Sequence, residues 1–179
     1  MITGVDLVEQ QIRVARNEKL SIQQEDLKIK GHAIELRVYA EDPLNNFLPS
    51  IGKIGDYIFP TGPGIRLDSG YESEMDIPIY YDPMLAKLAV YGEDRNAAID
   101  KMNEVLEASS ITGLETTIPF GKFVCNHNAF RSGNYNTHFV KNYFSAELIQ
   151  EGDKSVAELA AAVGLKHYLK EYGVLRVPG

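Results

Sequence analysis

The sequence has no tryptophan and only one cysteine, Cys125. A single cysteine excludes an intramolecular disulfide and a Cys-rich zinc site, and it points to a reducing compartment. No apolar run of about 18 residues occurs, the length a membrane-spanning helix needs. Asp6, Glu9, Arg13 and Arg16 interrupt the segment Met1 to Leu20, which excludes a signal peptide there. Basic residues are scarce: 18 Lys+Arg stand against 25 Asp+Glu, for a net charge of −7. No basic stripe stands out, which argues against a nucleic-acid surface. Nor is there a G-x-x-x-x-G-K-[ST] loop, a G-x-G-x-x-G turn or a G-x-S-x-G elbow, so the usual phosphate and nucleophile signatures are missing.

What is present is an ordinary globular composition, 44% hydrophobic and 24% charged over 179 residues. That suits one domain plus an appendage. Val5, Val8, Ile12 and Ala15 fall at helical spacing within Thr3 to Asn17. Gly31 to Tyr39 alternates and predicts a strand buried on one face. Lys53 to Phe59 and Gly64 to Asp68 predict two more strands. Pro60-Thr61-Gly62-Pro63-Gly64 between them reads as a hairpin turn. Ile77 to Tyr81 is a short aromatic strand, and Met84 to Tyr91 is strand or helix. Asp94 caps the strongest helix, to Ser110, with Ala98, Met102, Val105 and Leu106 as its stripe. Thr117 caps another, with Pro119 in its first turn. Asn126 to Asn136 reads as turns, and His138 to Phe144 as a short helix. Ser155-Val156-Ala157-Glu158 fits a capping box opening a last helix, which Gly164 breaks. Ala157 to Val163 is apolar enough to pack. Strands come first and helices later, which predicts an α+β fold with helices packed on an antiparallel sheet.

Few residues announce chemistry. His32, His127, His138 and His167 lack metal-ligand spacing. His138 reads as partly buried and Cys125 as core filler. Tyr80-Tyr81-Asp82 can build an aromatic wall with an acceptor at its rim, although an aromatic core beside a turn is the simpler reading. Glu35 and Arg37 lie two apart and share a strand face with Ala33, while Ile34, Leu36 and Val38 take the other. The charged face is either open to solvent or a polar pocket in which Arg37 holds an anion. A guanidinium fork suits carboxylate or carbonate.

Several stretches agree on one family. They are Met1-Ile-Thr-Gly-Val-Asp-Leu-Val8, Gly31-His-Ala-Ile-Glu35, Arg37-Val-Tyr-Ala-Glu-Asp-Pro43, Asn46-Phe-Leu-Pro-Ser50 and Pro63-Gly-Ile-Arg66. Tyr80-Tyr-Asp-Pro-Met-Leu-Ala-Lys-Leu88 and Gly113-Leu-Glu-Thr-Thr-Ile-Pro119 complete the set. Over about residues 1 to 144 the chain resembles the C-terminal domain of biotin carboxylase, as found in acetyl-CoA, propionyl-CoA and pyruvate carboxylases. The resemblance divides the chain into a helix left over from a preceding ATP-grasp domain (1–22), the C-terminal domain (23–144) and a helical extension (145–179).

That family is a ligase using ATP and bicarbonate to form carboxyphosphate, which carboxylates biotin on its carrier. The resemblance implies that Arg37 is the catalytic and biotin-binding residue, contacting the ureido oxygen where negative charge develops. It makes Glu35 and Asp82 supports of that site and places Thr137 toward the adenine. It puts Pro63, where the family often has a larger aromatic, and Arg66 at a homodimer contact. ATP with Mg2+ or Mn2+ is implied to bind mainly on the ATP-grasp domain, and no metal is expected here. The implied partners are a biotin carboxyl carrier protein and a carboxyltransferase, with neither nucleic acid nor membrane. The implied compartment is the cytoplasm, or the mitochondrial matrix for a eukaryotic parent. On this reading the chain alone is inactive. The rival is a non-catalytic module for dimerisation or docking within a biotin-dependent carboxylase.

Overall fold

The computed structural model describes the backbone of residues 1–172, and the side chains there outside 150–159 and 170–172. In chain order the elements are α1 (Leu7–Ala15), β1 (His32–Tyr39), β2 (Glu41–Asp42), β3 (Leu48–Pro49), β4 (Gly52–Lys53), β5 (Tyr57–Ile58), β6 (Ile65–Ser69), β7 (Asp76–Ile77) and β8 (Met84–Gly92). Then come α2 (Arg95–Glu107), β9 (Ser110–Ile111), α3 (Ile118–Asn126), α4 (Asn128–Ser132), α5 (Phe139–Tyr143) and α6 (Ala146–Tyr172). The architecture is α+β, as the element order predicts.

The centre is an antiparallel sheet in the order β1-β8-β6. Its strands alternate: Val38, Leu88 and Val90 are fully buried, while Glu35, Arg37 and Arg66 on the opposite face are exposed. A register shift after Val38 breaks the alternation and lets the consecutive Leu85 and Ala86 both bury, as a bulge permits. Helix α2 lies against the apolar face with Ala98, Ile99, Met102, Val105 and Leu106 inside. The Asp94 carboxylate caps it, accepting the Ala97 N–H at 2.9 Å. Gly92 ends β8 where a Cβ would collide with the backbone of Ala97 and Ala98, so sheet and helix approach there only because this residue has no side chain.

The sequence expectations fail where pairing is non-local. Lys53 to Phe59 is not one strand. Its two ends pair with different partners, β4 with β7 and β5 with β9, and Gly55 between them donates to the Thr112 carbonyl. Hence Pro60–Gly64 closes no hairpin. The turn forms, with Ile65 N–H donating to Gly62 O at 3.1 Å, but it leads from β5 into a strand paired with β8. Ile77 to Tyr81 is strand only through Ile77, and Tyr80 and Tyr81 are 82% and 79% exposed. The aromatic-core reading of that pair is therefore wrong. Asn128–Ser132 is helical rather than turn-like, capped by His127 Nδ1, which accepts the Ala129 N–H at 3.2 Å. That ring also sits among Phe123, Phe139 and Tyr143. His138 is exposed rather than partly buried.

The last helix begins at Ala146 and runs unbroken past Ser155 and Gly164, so neither a start at Ser155 nor a break at Gly164 is seen. Glycine costs a helix only about 1 kcal/mol relative to alanine, less than a break requires. The side chains of the Ser155–Glu158 box lie outside those described, as do residues 173–179 altogether. Residues 160–163 of the stretch expected to pack are exposed, Val163 at 60%. No helix among the described residues is long and apolar enough to cross a membrane.

Candidate functional site

The open face of the central sheet gathers most of the charged candidates. Backbone register sets two rows across it. Glu35 stands opposite Ala89, which stands opposite Arg66. One step along, Arg37 stands opposite Lys87, which stands opposite Asp68. Partners in an antiparallel register point to the same side. A residue expected to meet biotin and one expected to meet a dimer mate thus share one surface. The small residues Ala33 and Ala89 help line a concavity of about 350 Å³, with Glu35, Arg66, Asp68 and Lys87 around it.

Arg37 reaches out from the middle of β1, its side chain 59% exposed. Its Nε lies 3.5 Å from Glu35 Oε1, a long and therefore weak contact. The Tyr39 hydroxyl and then the Glu35 carboxylate raise its pKa above the ordinary arginine value, so it stays charged. Of the two readings of this face, the open one describes the geometry. Arg66 is held more firmly: its Nε lies 3.0 Å from both oxygens of Asp68. Asp68, then the more distant Asp6 and Glu35, raise its pKa. Its carboxylate partner is therefore in its own strand.

The remaining candidates are dispersed. Asp82 is exposed just before β8 and its Oδ1 accepts the Met84 N–H at 2.9 Å. Burial, then the Asp82 charge, raises the pKa of nearby Glu41. Among the described residues no hydrogen bond or ion pair joins Asp82 to Arg37. Pro63 is exposed, and its carbonyl accepts from Lys101 Nζ at 3.2 Å. Thr137 is exposed in the turn before α5, and among the described residues no hydrogen bond joins it to the central sheet. Cys125 is buried, and burial pushes its thiol up to about 11 against the lesser pull of Arg131, so it packs and does not attack. Among the described residues no group of three or more His, Cys, Asp and Glu could hold a metal ion.

Two residues at this face escape the sequence reading. Lys87 is the one charged side chain in the apolar run of β8, and the phase of that run is its only signal. Thr117 reads as a helix cap, yet its side chain makes no capping bond. Its hydroxyl instead binds the backbone of Tyr39 and Arg37, which nothing local announces.

Comparison with known proteins identifies the fold and the family. The family profile for the biotin carboxylase C-terminal domain matches residues 35–142. A pyruvate carboxylase subunit of Methanothermobacter thermautotrophicus is 50% identical over 143 residues, 80% of this chain and 29% of that protein. Biotin carboxylase 1 of Bacillus subtilis is 46% identical over 143 residues, 80% of this chain and 32% of that protein. Among solved structures, the biotin carboxylase domain dimer of Hydrogenobacter thermophilus 2-oxoglutarate carboxylase, in complex with MgADP, ADP and bicarbonate, superposes with a TM-score of 0.78. It is 41% identical, over 80% of this chain and 32% of that one. The chain thus spans about a third of the length of the relatives it matches. A matching profile over most of the sheet and helices, together with a shared fold at this identity, makes the chain a member of the biotin carboxylase C-terminal domain family.

Proposed function

We propose that the chain is the C-terminal part of a biotin carboxylase acting with ATP and bicarbonate, and that Arg37 is its biotin-contacting residue. The observation that carries this reading is the Arg37 side chain itself. It is charged, more than half exposed and held over its strand by the Tyr39 hydroxyl and a long contact to the Glu35 carboxylate. Biotin supplies the ureido nitrogen that accepts the carboxyl group. The guanidinium donates to the ureido oxygen, where negative charge grows as that nitrogen becomes nucleophilic. A donor aimed in advance at developing charge is the strongest common form of catalytic stabilisation. Glu35 restrains the fork from one side, and Asp82 shapes the loop at the end of the same strand pair.

Among the described residues no cluster of His, Cys, Asp and Glu suits a metal ion, and in this reading ATP and Mg2+ or Mn2+ are assigned mainly to an ATP-grasp domain of the parent protein, with Thr137 at most on the adenine side. The chain alone is then inactive in ATP turnover. Pro63 and Arg66 are assigned to a homodimer surface, and the partners to a biotin carboxyl carrier and a carboxyltransferase. The compartment in this reading is the cytoplasm, or the mitochondrial matrix in a eukaryote.

Arg37→Ala in the full-length carboxylase tests the reading. Biotin carboxylation is expected to fall by about 10²–10³ while ATP binding is retained. Arg37→Lys is also expected to be damaging, because a point charge does not reproduce the fork. Unchanged turnover in both variants would leave the non-catalytic docking module as the better reading.

A further inference from the structure

We propose that α4 and the turn after it form an acid-sensitive element, held shut by two neutral histidines, His32 and His127, that act at its opposite ends. At the start of α4, His127 Nδ1 accepts the Ala129 N–H at 3.2 Å. A ring nitrogen that accepts carries no proton, so this imidazole is the Nε2–H tautomer. At the far end stands Arg95, from the first turn of α2. Its Nη2 donates to the Phe130 carbonyl, and its Nε to the Arg131 carbonyl at 3.4 Å. The same guanidinium lies 4.9 Å from the Phe130 ring centre and 5.8 Å from that of Tyr135 in the following turn. Its Nη1 meets His32 Nε2 at 3.2 Å. Arginine has donors only, so His32 accepts and is the Nδ1–H tautomer. The two rings are thus opposite tautomers, each fixed by a donor that cannot reverse its role.

Histidine is the side chain whose charge changes between about pH 5 and 8. A proton added to His127 sets a ring N–H against the Ala129 N–H, and one added to His32 sets a cation against the Arg95 guanidinium. Around His32 stand Arg95 of α2 and the Tyr91 side chain of β8, which closes on Gly31; its register partner, Gly92, brings no side chain. Around His127 stand Phe123 of α3 and Phe139 and Tyr143 of α5. Arg131 of α4 turns its guanidinium to Asp100 and to the Cys125 carbonyl. Among the described residues no carboxylate forms an ion pair with either imidazole, so no anion offsets the added charge. Helix α4 has five residues and buries none of them, which places it among the elements that open locally at small cost. Acid therefore loosens α4 from both ends. The turn beyond it leads to Thr137, so the opening reaches the residue placed toward the adenine under the proposed function. That consequence rests on the earlier reading, and the switch itself does not.

Imidazole nitrogen NMR and amide hydrogen exchange of this chain test the switch without any turnover. At about pH 8, the upper end of the histidine range, His32 is expected as the Nδ1–H tautomer and His127 as the Nε2–H tautomer. The opposite tautomer at either ring would overturn the proposal. At about pH 5, amide protection over Asn128 to Asn136, corrected for intrinsic exchange, is expected to fall about tenfold for each acceptor lost. Protection in the middle of β8 is expected to hold. His32→Gln and His127→Asn each supply an oxygen that accepts without titrating. Each is expected to remove part of the pH response, and the double variant to remove all of it while keeping the protection seen at the higher pH. A wild type equally protected at both pH values, or an undiminished fall in the double variant, would sink the switch. If the double variant lacks protection at both pH values, the wild-type tautomers and the wild-type fall decide. No nucleotide is present, so the result is independent of whether Thr137 meets the adenine, which the ATP affinity of a Thr137→Ala full-length carboxylase decides separately.

Discussion

Thr117 and Tyr39 are joined by two reciprocal hydrogen bonds: the Tyr39 N–H donates to Thr117 Oγ1 at 3.0 Å, and the Thr117 N–H donates to the Tyr39 carbonyl at 3.0 Å. The Thr117 hydroxyl also donates to the Arg37 carbonyl at 3.4 Å. Strand β1 is an edge of its sheet, and an edge strand leaves half its backbone groups without ladder partners. A threonine from the start of α3 supplies them at the two residues that bracket Val38. It thereby fixes the backbone from which Arg37 projects.

The valine variant removes that hydroxyl without changing shape. Thr117 is 5% exposed, so Thr117→Val leaves the Tyr39 N–H without its acceptor in a buried place. Such a loss costs about 1–3 kcal/mol. The urea midpoint is expected to fall accordingly with an unchanged slope, and Thr117→Ser to recover most of the loss. A midpoint equal to wild type in Thr117→Val would show that water replaces the hydroxyl.

Cys125 gives a pH dependence of known sign. Burial raises its pKa from 9.0 to about 11 in the folded chain. Between those values the unfolded chain has released the thiol proton and the folded chain still holds it. The stabilisation is present in full below the lower value and is lost as pH rises through the window. Urea midpoints of wild type are therefore expected to decline more steeply across that window than those of Cys125→Ala, whose other titrations are the same. Parallel pH profiles would show that the thiol titrates normally.

Arg66 tests the assembly. Its carboxylate partner is Asp68 of the same strand, where an ion pair across a two-fold axis is one form of the expected contact. Both side chains are more than half exposed, so the surface remains available to a mate. Arg66→Glu sets two acids side by side there, and a two-fold interface meets that change twice. Sedimentation velocity over a concentration series is expected to show a weak wild-type dimer and a more monomeric variant with the same unfolding midpoint. A monomeric wild type would remove the dimer surface from this chain, and an equally dimeric variant would remove Arg66 from the contact.

Much of this molecule is legible in its residues alone because the relevant signals are local. The alternation of Ala33 to Val38 set which side of β1 is charged, and the stripe from Ala98 to Leu106 set the buried side of α2. Asp94 announced its own cap, and the family was readable from its motifs. Other features depend on residues far apart in the chain. Pairing of Tyr57-Ile58 with Ser110-Ile111 undid a hairpin that its turn had suggested. The Arg37–Lys87–Asp68 row exists only once three strands distant in sequence fall into register. Thr117 found an edge strand 78 residues away in preference to its own helix. Periodicity reports which side of an element faces the core; it carries no information about which other element lies alongside. That choice is made by the burial of Val38, Leu88 and Val90 against α2, and the charged face of the sheet is its consequence.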